Sequence, residues 1–360
     1  MPRRHRAARW LPFSCAAFAL LAHAQGCDTA GTWSGTLGSR PVMLDLNWDG
    51  LGSYYLGTDM RDSALRPMAG EALAWQELDA SGKRTGTLRL ACTGTGLQGE
   101  RVADHGQRTA LKLQRTEGGD YNRRRLAAVQ LAPLRALAEQ GHRLEVVAAR
   151  GFPAITTVRI GEPKGAEVSI NDRLRERLLQ QLDNHLSCQA LARAQGRFEA
   201  RDGDELSVQH VQWRGSILSV QLWLQGYCGG VNGYMGAEQY TFDTRTGQDL
   251  PLADWLAPEL HDGIAAGTPL HAALVLPQIL RGRKQLADLP PARRECADYE
   301  LEERAVPLAL EERGLVFGFH YSLAMAGCGL SFVLPWSALQ PQLSPEGARW
   351  LQAMQPPARR

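Results

Sequence analysis

The 360-residue chain lacks most of the short patterns that carry chemistry in exported proteins. It has no HExxH and no HxH, which excludes the common helix-borne zinc hydrolases. None of its seven cysteines stands in a CxxC pair, so neither a zinc ribbon nor a thioredoxin-like redox centre is expected. Ser-x-x-Lys and a Gly-rich phosphate loop are missing as well, which removes two further routes to an activated nucleophile or a nucleotide cradle. Excess charge of either sign is also lacking: 40 Lys plus Arg stand against 38 Asp plus Glu, which argues against a nucleic-acid partner. Beyond the N-terminus there is no apolar run of the length a membrane-spanning helix needs, about 18 residues. No cofactor and no metal is expected from these patterns.

What is present begins at the N-terminus. Arg3, Arg4, Arg6 and Arg9 precede an apolar run from Trp10 to Ala22, which ends in Ala22-His23-Ala24. A basic start, a short greasy stretch and a small-x-small end read as a signal peptide over residues 1–24, cut after Ala24. An uncleaved anchor helix is the alternative. Cys27 has Ala24, not Leu, three positions before it, so a lipid anchor is not expected. The mature protein would then be periplasmic or secreted, and loss of the four arginines takes its formal charge from +2 to −2.

Such a compartment is oxidising. Without Cys15 the cysteines are Cys27, Cys92, Cys188, Cys228, Cys296 and Cys328, an even number falling two by two into three successive segments. This predicts the bridges Cys27–Cys92, Cys188–Cys228 and Cys296–Cys328, each contributing a few kcal/mol, about 2–4.

Residues 25–116 are dense in turn signals, with Gly35, Gly38, Asp49-Gly50, Ser81-Gly82, Gly94-Thr95-Gly96 and His105-Gly106 separating short alternating runs. Val42, Leu44, Leu46 and Trp48 share one face, while Met43, Asp45 and Asn47 share the other. Leu88, Leu90 and Cys92 alternate likewise, pointing Cys92 toward the same core. About eight such runs at this spacing predict a small all-β meander or barrel. Residues 117–143, with Arg123, Arg124, Arg125 and Pro133, read as a linker with some helix. A second domain over 144–345 follows, with a helix at Ile170 to Leu186 carried by Leu174, Leu178, Leu179 and Leu182, and capped near Asn171 and Asp172. Strand patterns come next: Leu218 to Leu224, Tyr240 with Phe242, Leu315 to Tyr321, and Leu330 to Leu334. Residues 260–294 turn helical again until Asp288-Leu289-Pro290-Pro291. The expected fold is a two-domain chain, a small β domain followed by an α+β domain with helices packed on an antiparallel sheet, and residues 346–360 form a tail.

Several segments together carry a family likeness. Tyr227-Cys228-Gly229-Gly230, then Tyr240-Thr241-Phe242-Asp243-Thr244-Arg245-Thr246-Gly247 with Leu250 and Leu252, then Gly314-Leu315-Val316-Phe317 and Leu334-Pro335-Trp336-Ser337-Ala338-Leu339 are in question. In order and spacing they resemble the extracytoplasmic domain of unknown function at the C-terminus of the lysozyme-sensing anti-sigma factor RsiV. The same module accompanies the catalytic domain in peptidoglycan deacetylases of the PdaC type. The likeness covers about residues 144–340, and it implies an α+β domain outside the cytoplasm with no enzymatic activity of its own. Where that family has Gly-Gly-Ala-His, this chain reads Gly229-Gly230-Val231-Asn232, so a role attached to the histidine does not carry over. Residues 27–116 are similar, more loosely, to small β domains of uncharacterised exported proteobacterial proteins.

Each candidate site also has a plainer reading. Gly226-Tyr227-Cys228-Gly229-Gly230 fits the G-x-C-x-G form of a nucleophile elbow, but a bridged Cys228 cannot attack and a β pattern follows it. Asp243, Thr246, Gly247 and Asp249 form a loose calcium-loop pattern without the closing Glu, which favours a hairpin. The seven histidines beyond the leader are scattered, and His320 on a strand face is read as a partly exposed sheet residue. Glu100, Asp104, Asp202, Asp204 and Glu205 offer no separation from which to assign an acid pair. Trp33, Trp48, Tyr54, Tyr55 and Trp75 make the first domain aromatic; Tyr54 and Tyr55 are adjacent, so one must face outward, where it would suit sugar or peptide contact. No residue is assigned a catalytic role. The candidate binding surface is the glycine-rich loop with Tyr227, Gly229, Gly230, Asn232 and Tyr234, since a disulfide-fixed turn loses little entropy on docking. The expected function is binding, to an envelope protein such as lysozyme or to a cell-wall glycan. An envelope hydrolase acting on peptidoglycan or polysaccharide is the alternative, and a structural assembly part is a third.

Overall fold

Glycine turns and two-residue alternation close residues 31–115 into an antiparallel barrel of eight strands. In chain order these are β1 (Gly31–Leu37), β2 (Arg40–Leu46), β3 (Gly52–Leu56), β4 (Ser63–Pro67), β5 (Ala74–Leu78), β6 (Arg84–Thr93), β7 (Gly96–Ala103) and β8 (Arg108–Arg115). Each pairs with the next, and β8 returns to β1 through Gly35 opposite Leu113. The computed structural model describes residues 28–79, 81–116, 121–195, 204–227, 234–286, 302–319 and 330–354. The barrel agrees with the all-β expectation for the first domain. Trp33, Val42, Leu44, Leu46, Tyr54, Leu65, Trp75 and Leu88 fill its interior, leaving a void of only about 10 Å³. Such a barrel is packed solid and holds no ligand inside.

Three expectations for this unit are corrected. Trp48 does not join Leu46 in the core: β2 ends at Leu46, and Trp48, on the following turn, is 90% exposed. Cys92 keeps the parity of Leu88 and Leu90 but lies near the end of β6, past the filled interior, and is exposed. Tyr54 and Tyr55 do face opposite ways, yet both are buried, because the chain after the barrel covers the outward Tyr55.

That covering segment, expected as a linker with helix, is a single short helix α1 (Arg123–Ala127) followed by a strand. Arg125 is fully buried against the barrel, forking onto Asp62 through Nη1–Oδ1 at 2.9 Å and Nη2–Oδ2 at 3.1 Å. Its guanidinium lies 4.3 Å from the Tyr55 ring centre and 5.4 Å from that of Tyr121. Tyr121 donates its hydroxyl to the same Asp62 carboxylate, and Asn122 accepts from Arg125 while donating to Asp183 and Ser187. Burial pushes the Asp62 carboxyl up, against the downward pull of Arg125.

The second sheet starts earlier than residue 144. Strands β9 (Leu131–Glu139), β10 (His142–Ala149), β11 (Phe152–Ile160), β12 (Glu205–Arg214), β13 (Ile217–Gly226), β14 (Tyr234–Asp243) and β15 (Gln248–Asp249) lie in the order β15-β14-β13-β12-β11-β10-β9. Pro133 is tolerated because β9 is the edge strand and the register shifts beside it. Gln140 and Gly141, both at positive φ, close the tight β9–β10 turn. The sheet is not wholly antiparallel: β11 meets β12 in parallel, through a crossover made by α2 (Ala166–Ala194). This long helix agrees with the expected one but begins four residues earlier, after Gly165 at φ +54°. Asn171 is therefore not its cap. It lies in the second turn, where its amide both donates to and accepts from the Ile160 backbone, at 3.0 and 2.7 Å. Ile170, Leu174, Leu178, Leu182 and Leu186 bury one stripe of α2 on the sheet, while β3 and β4 of the barrel touch another side of the helix.

A second layer gathers around β16 (Ala305–Glu311), β17 (Gly314–Phe319) and β18 (Ser331–Pro335). Helices α3 (Leu276–Leu286), α4 (Trp336–Leu339) and α5 (Pro345–Met354) accompany it. Residues 346–354, expected as the start of a tail, are structural: Met354 is buried in the cluster of Ile217, Trp255, Ile279 and Phe317. The α+β character expected of this part is thus present only in outline, with three helices of eight residues or more beside ten strands among the described residues.

Removing one member of the buried Arg125–Asp62 pair leaves an uncompensated charge. Arg125→Met should lower unfolding free energy by about 3–5 kcal/mol in urea denaturation, and adding Asp62→Leu should restore most of that loss.

Candidate functional site

A cleft of about 690 Å³ lies between α2 and the β13–β14 ribbon. Helix α2 presents a polar stripe beside its apolar one, because Arg177, Gln181 and Asn184 recur at helical spacing next to Leu174, Leu178 and Leu182. The β14 strand faces them with Tyr234, Glu238 and Tyr240, alternate residues on one side. Arg177 forks onto Glu238 through Nε at 2.5 Å and Nη2 at 2.6 Å, and Tyr240 donates to the same carboxylate at 3.0 Å. Burial works against the charged Arg177, but the Glu238 bonds outweigh it and raise its pKa.

One end of the cleft is organised around Asp204, which is buried just before β12 begins. Its carboxylate accepts from His185 Nδ1 at 2.9 Å, from the Tyr234 hydroxyl at 2.9 Å and from the Tyr227 backbone N–H at 3.2 Å. With its Nδ1–H donating to Asp204, His185 accepts at Nε2 from the Gln189 amide at 3.0 Å, and Gln189 accepts in turn from Arg193. Gly226 makes this convergence possible: a Cβ there would meet Asp204 Oδ1 at 2.0 Å and the Tyr234 hydroxyl at 2.3 Å. Burial first, then the neighbouring Asp204 charge, pushes the Tyr234 phenol up to about 12. Burial and Glu238 do the same to Tyr240.

Of the residues expected to bind, Tyr234 lines the cleft and Tyr227 sits half exposed at its end. Gly229, Gly230 and Asn232 lie outside the described residues, as do Cys27, Cys228, Cys296 and Cys328. Cys92 is exposed near the end of β6, and Cys188 is buried late in α2. Asp243, Thr246, Gly247 and Asp249 form the β14–β15 hairpin, with Gly247 N–H donating to the Asp243 carbonyl at 2.7 Å and the two carboxylates turned to Arg245 and Arg173. Of the five acids without an assigned pairing, Asp204 is in the cleft network, Glu205 bonds Gln225, and Glu100 and Asp104 pair with arginines on the barrel; Asp202 lies outside the described residues. His320 also lies outside them. Arg177, Gln181, Glu238 and Asp204's role at the cleft were not expected. The helical recurrence of Arg177, Gln181 and Asn184 was the signal available in the sequence.

No family model matches the chain, and no curated protein does. Solved structures that are similar to part of it include two from one family. A DUF3298 family protein from Pseudomonas aeruginosa PAO1 shares 14% identity, with 61% of this chain and 96% of that one covered and a TM-score of 0.36. A member of the same family from Bacteroides fragilis NCTC 9343 shares 12% identity over 60% of this chain and 94% of that one, with a TM-score of 0.32. The structural neighbours are thus proteins carrying a domain of unknown function.

The raised phenols set a pH dependence. Unfolded tyrosines ionise near 10, whereas Tyr54, Tyr234 and Tyr240 hold their protons in the fold until about 12. The unfolded chain therefore binds fewer protons in that window, and stability falls as pH rises from 10 to 12. The urea midpoint should drop across this range, and Tyr240→Phe should flatten the drop.

Proposed function

We propose that the protein is exported and acts in the periplasm or outside the cell by binding an envelope ligand in the cleft between α2 and β13–β14. The observation carrying this reading is that the cleft's carboxylates are engaged in holding its walls. Asp204 accepts three donors, and Glu238 is shared by Arg177 and Tyr240. A hydrolase needs one acid free to give a proton and one base free to take it. A binding cleft needs rigid, pre-oriented polar groups, which these networks supply.

In the same reading the mature cysteines are structural, paired Cys27–Cys92, Cys188–Cys228 and Cys296–Cys328. Cys188 Sγ lies 3.8 Å from the carbonyl of Tyr227, the residue that precedes Cys228, which supports the second pairing. The second part of the chain is then an extracytoplasmic module of the kind that accompanies anti-sigma and deacetylase domains, with the sequence segments already quoted as its support.

Two measurements test this. Unfolded mature protein should show no free thiol in a colorimetric titration before reduction and six after it; a reactive Cys228 would revive the nucleophile reading. Immobilised mature protein should retain soluble peptidoglycan fragments in preference to lysozyme, with retention at least tenfold weaker for Tyr240→Ala. Equal capture by that variant, or release of shortened glycan products, would sink the proposal.

A further inference from the structure

Arg177 and Gln181 stand one helical turn apart at the floor of the cleft and are nearly sealed from solvent, 9% and 1% exposed. Each carries one buried polar atom with no hydrogen-bond partner among the described residues, Nη1 of Arg177 and Oε1 of Gln181. Both atoms are left over for definite reasons. Arg177 spends Nε and Nη2 on Glu238, so only Nη1 remains free of that carboxylate. Gln181 Nε2 donates to the Tyr234 hydroxyl at 3.2 Å. The amide cannot be turned round: Tyr234 gives its own proton to Asp204, a carboxylate that only accepts, so the phenol oxygen has only acceptance to offer Gln181. A donor and an acceptor left over in this way therefore stand on residues one helical turn apart, and each such buried group costs free energy until it is paired.

We infer that this pair seats a hydroxyl group of a neutral saccharide, which accepts from Arg177 Nη1 and donates to Gln181 Oε1. The inference rests on the binding role proposed for the cleft and names the ligand class. A ligand hydroxyl accepts and donates at one atom. A carboxylate or phosphate has no proton for Gln181 and meets an Arg177 whose charge Glu238 already balances. An ammonium group cannot accept from Arg177. A trans peptide unit turns its C=O and N–H to opposite edges, so it cannot serve both atoms at once. The neighbouring lining agrees with a polyhydroxylated ligand, since Gln180, Asn184 and Ser187 are uncharged amides and a hydroxyl, and Tyr240 adds an aromatic ring.

Calorimetric titration of the mature protein with chitotetraose, cellotetraose and tetra-alanine tests this. At least one saccharide should bind and the peptide should not. Gln181→Met, checked for an unchanged near-UV spectrum and melting temperature, should weaken the saccharide about tenfold or more, because a ligand hydroxyl then donates to nothing. A monodeoxy series on the unaltered protein gives the same information without a variant: one deoxy position should lose about tenfold, and that loss should vanish in Gln181→Met. Tighter binding of tetra-alanine, undiminished binding by Gln181→Met, or a flat deoxy series would overturn the inference. Capture of peptidoglycan fragments without binding of either saccharide would sink this inference alone; loss of both would sink the broader binding role as well.

Discussion

The architecture turns on a single charge buried where three elements meet. Arg125 has no exposed surface, and its guanidinium is satisfied only because the barrel offers Asp62 and the ring of Tyr55 while the same short helix brings Asn122. Burying an arginine is costly unless carboxylate, amide and aromatic partners all arrive in register. The arrangement therefore specifies one way for the barrel to sit on α2. Asn122 extends the constraint by reaching Asp183 and Ser187 on the helix itself. Ser187 also lines the cleft, so the junction and the candidate site share a side of the same helix.

The cleft uses polar groups in the opposite manner. At the junction every partner is internal, whereas along Arg177 and Gln181 the internal partners fix the side chains and leave one atom of each over. The chain of donors from Arg193 through Gln189 and His185 to Asp204, met from the other side by Tyr234 and Gln181, assigns every proton direction. Rigidity of that kind is what a site needs if binding is not to spend its energy on ordering side chains.

Much of the β architecture was legible in the sequence because strand alternation and glycine turns are local signals. The runs at Val42–Leu46 and Leu218–Leu224 report their buried face directly, and Leu174, Leu178, Leu182 and Leu186 report a helix. What stayed hidden depends on neighbours distant in sequence. Tyr55 faces outward as alternation requires, but nothing local tells that Arg125 will cover it. Pro133 reads as a helix breaker, and only the sheet order reveals an edge strand that can spare its N–H. In the cleft, Tyr234 was legible as a candidate because it stands beside glycines. Gln181 and Glu238 were not, because an uncharged amide and a lone acid acquire meaning only when Tyr234 orients the one and Arg177 and Tyr240 hold the other.

The barrel's strand order has a consequence for how the molecule assembles. Every strand pairs with its sequence neighbour, apart from the single closure of β8 on β1, so this unit is built almost wholly from short-range contacts. The sheet behind it must wait for β12 to arrive from beyond the 29-residue crossover helix. Arg125 then acts as an inspection step: its charge finds shelter only against a finished barrel that already displays Asp62 and Tyr55. A chain whose first unit has misfolded meets a standing penalty at the moment its second unit tries to dock.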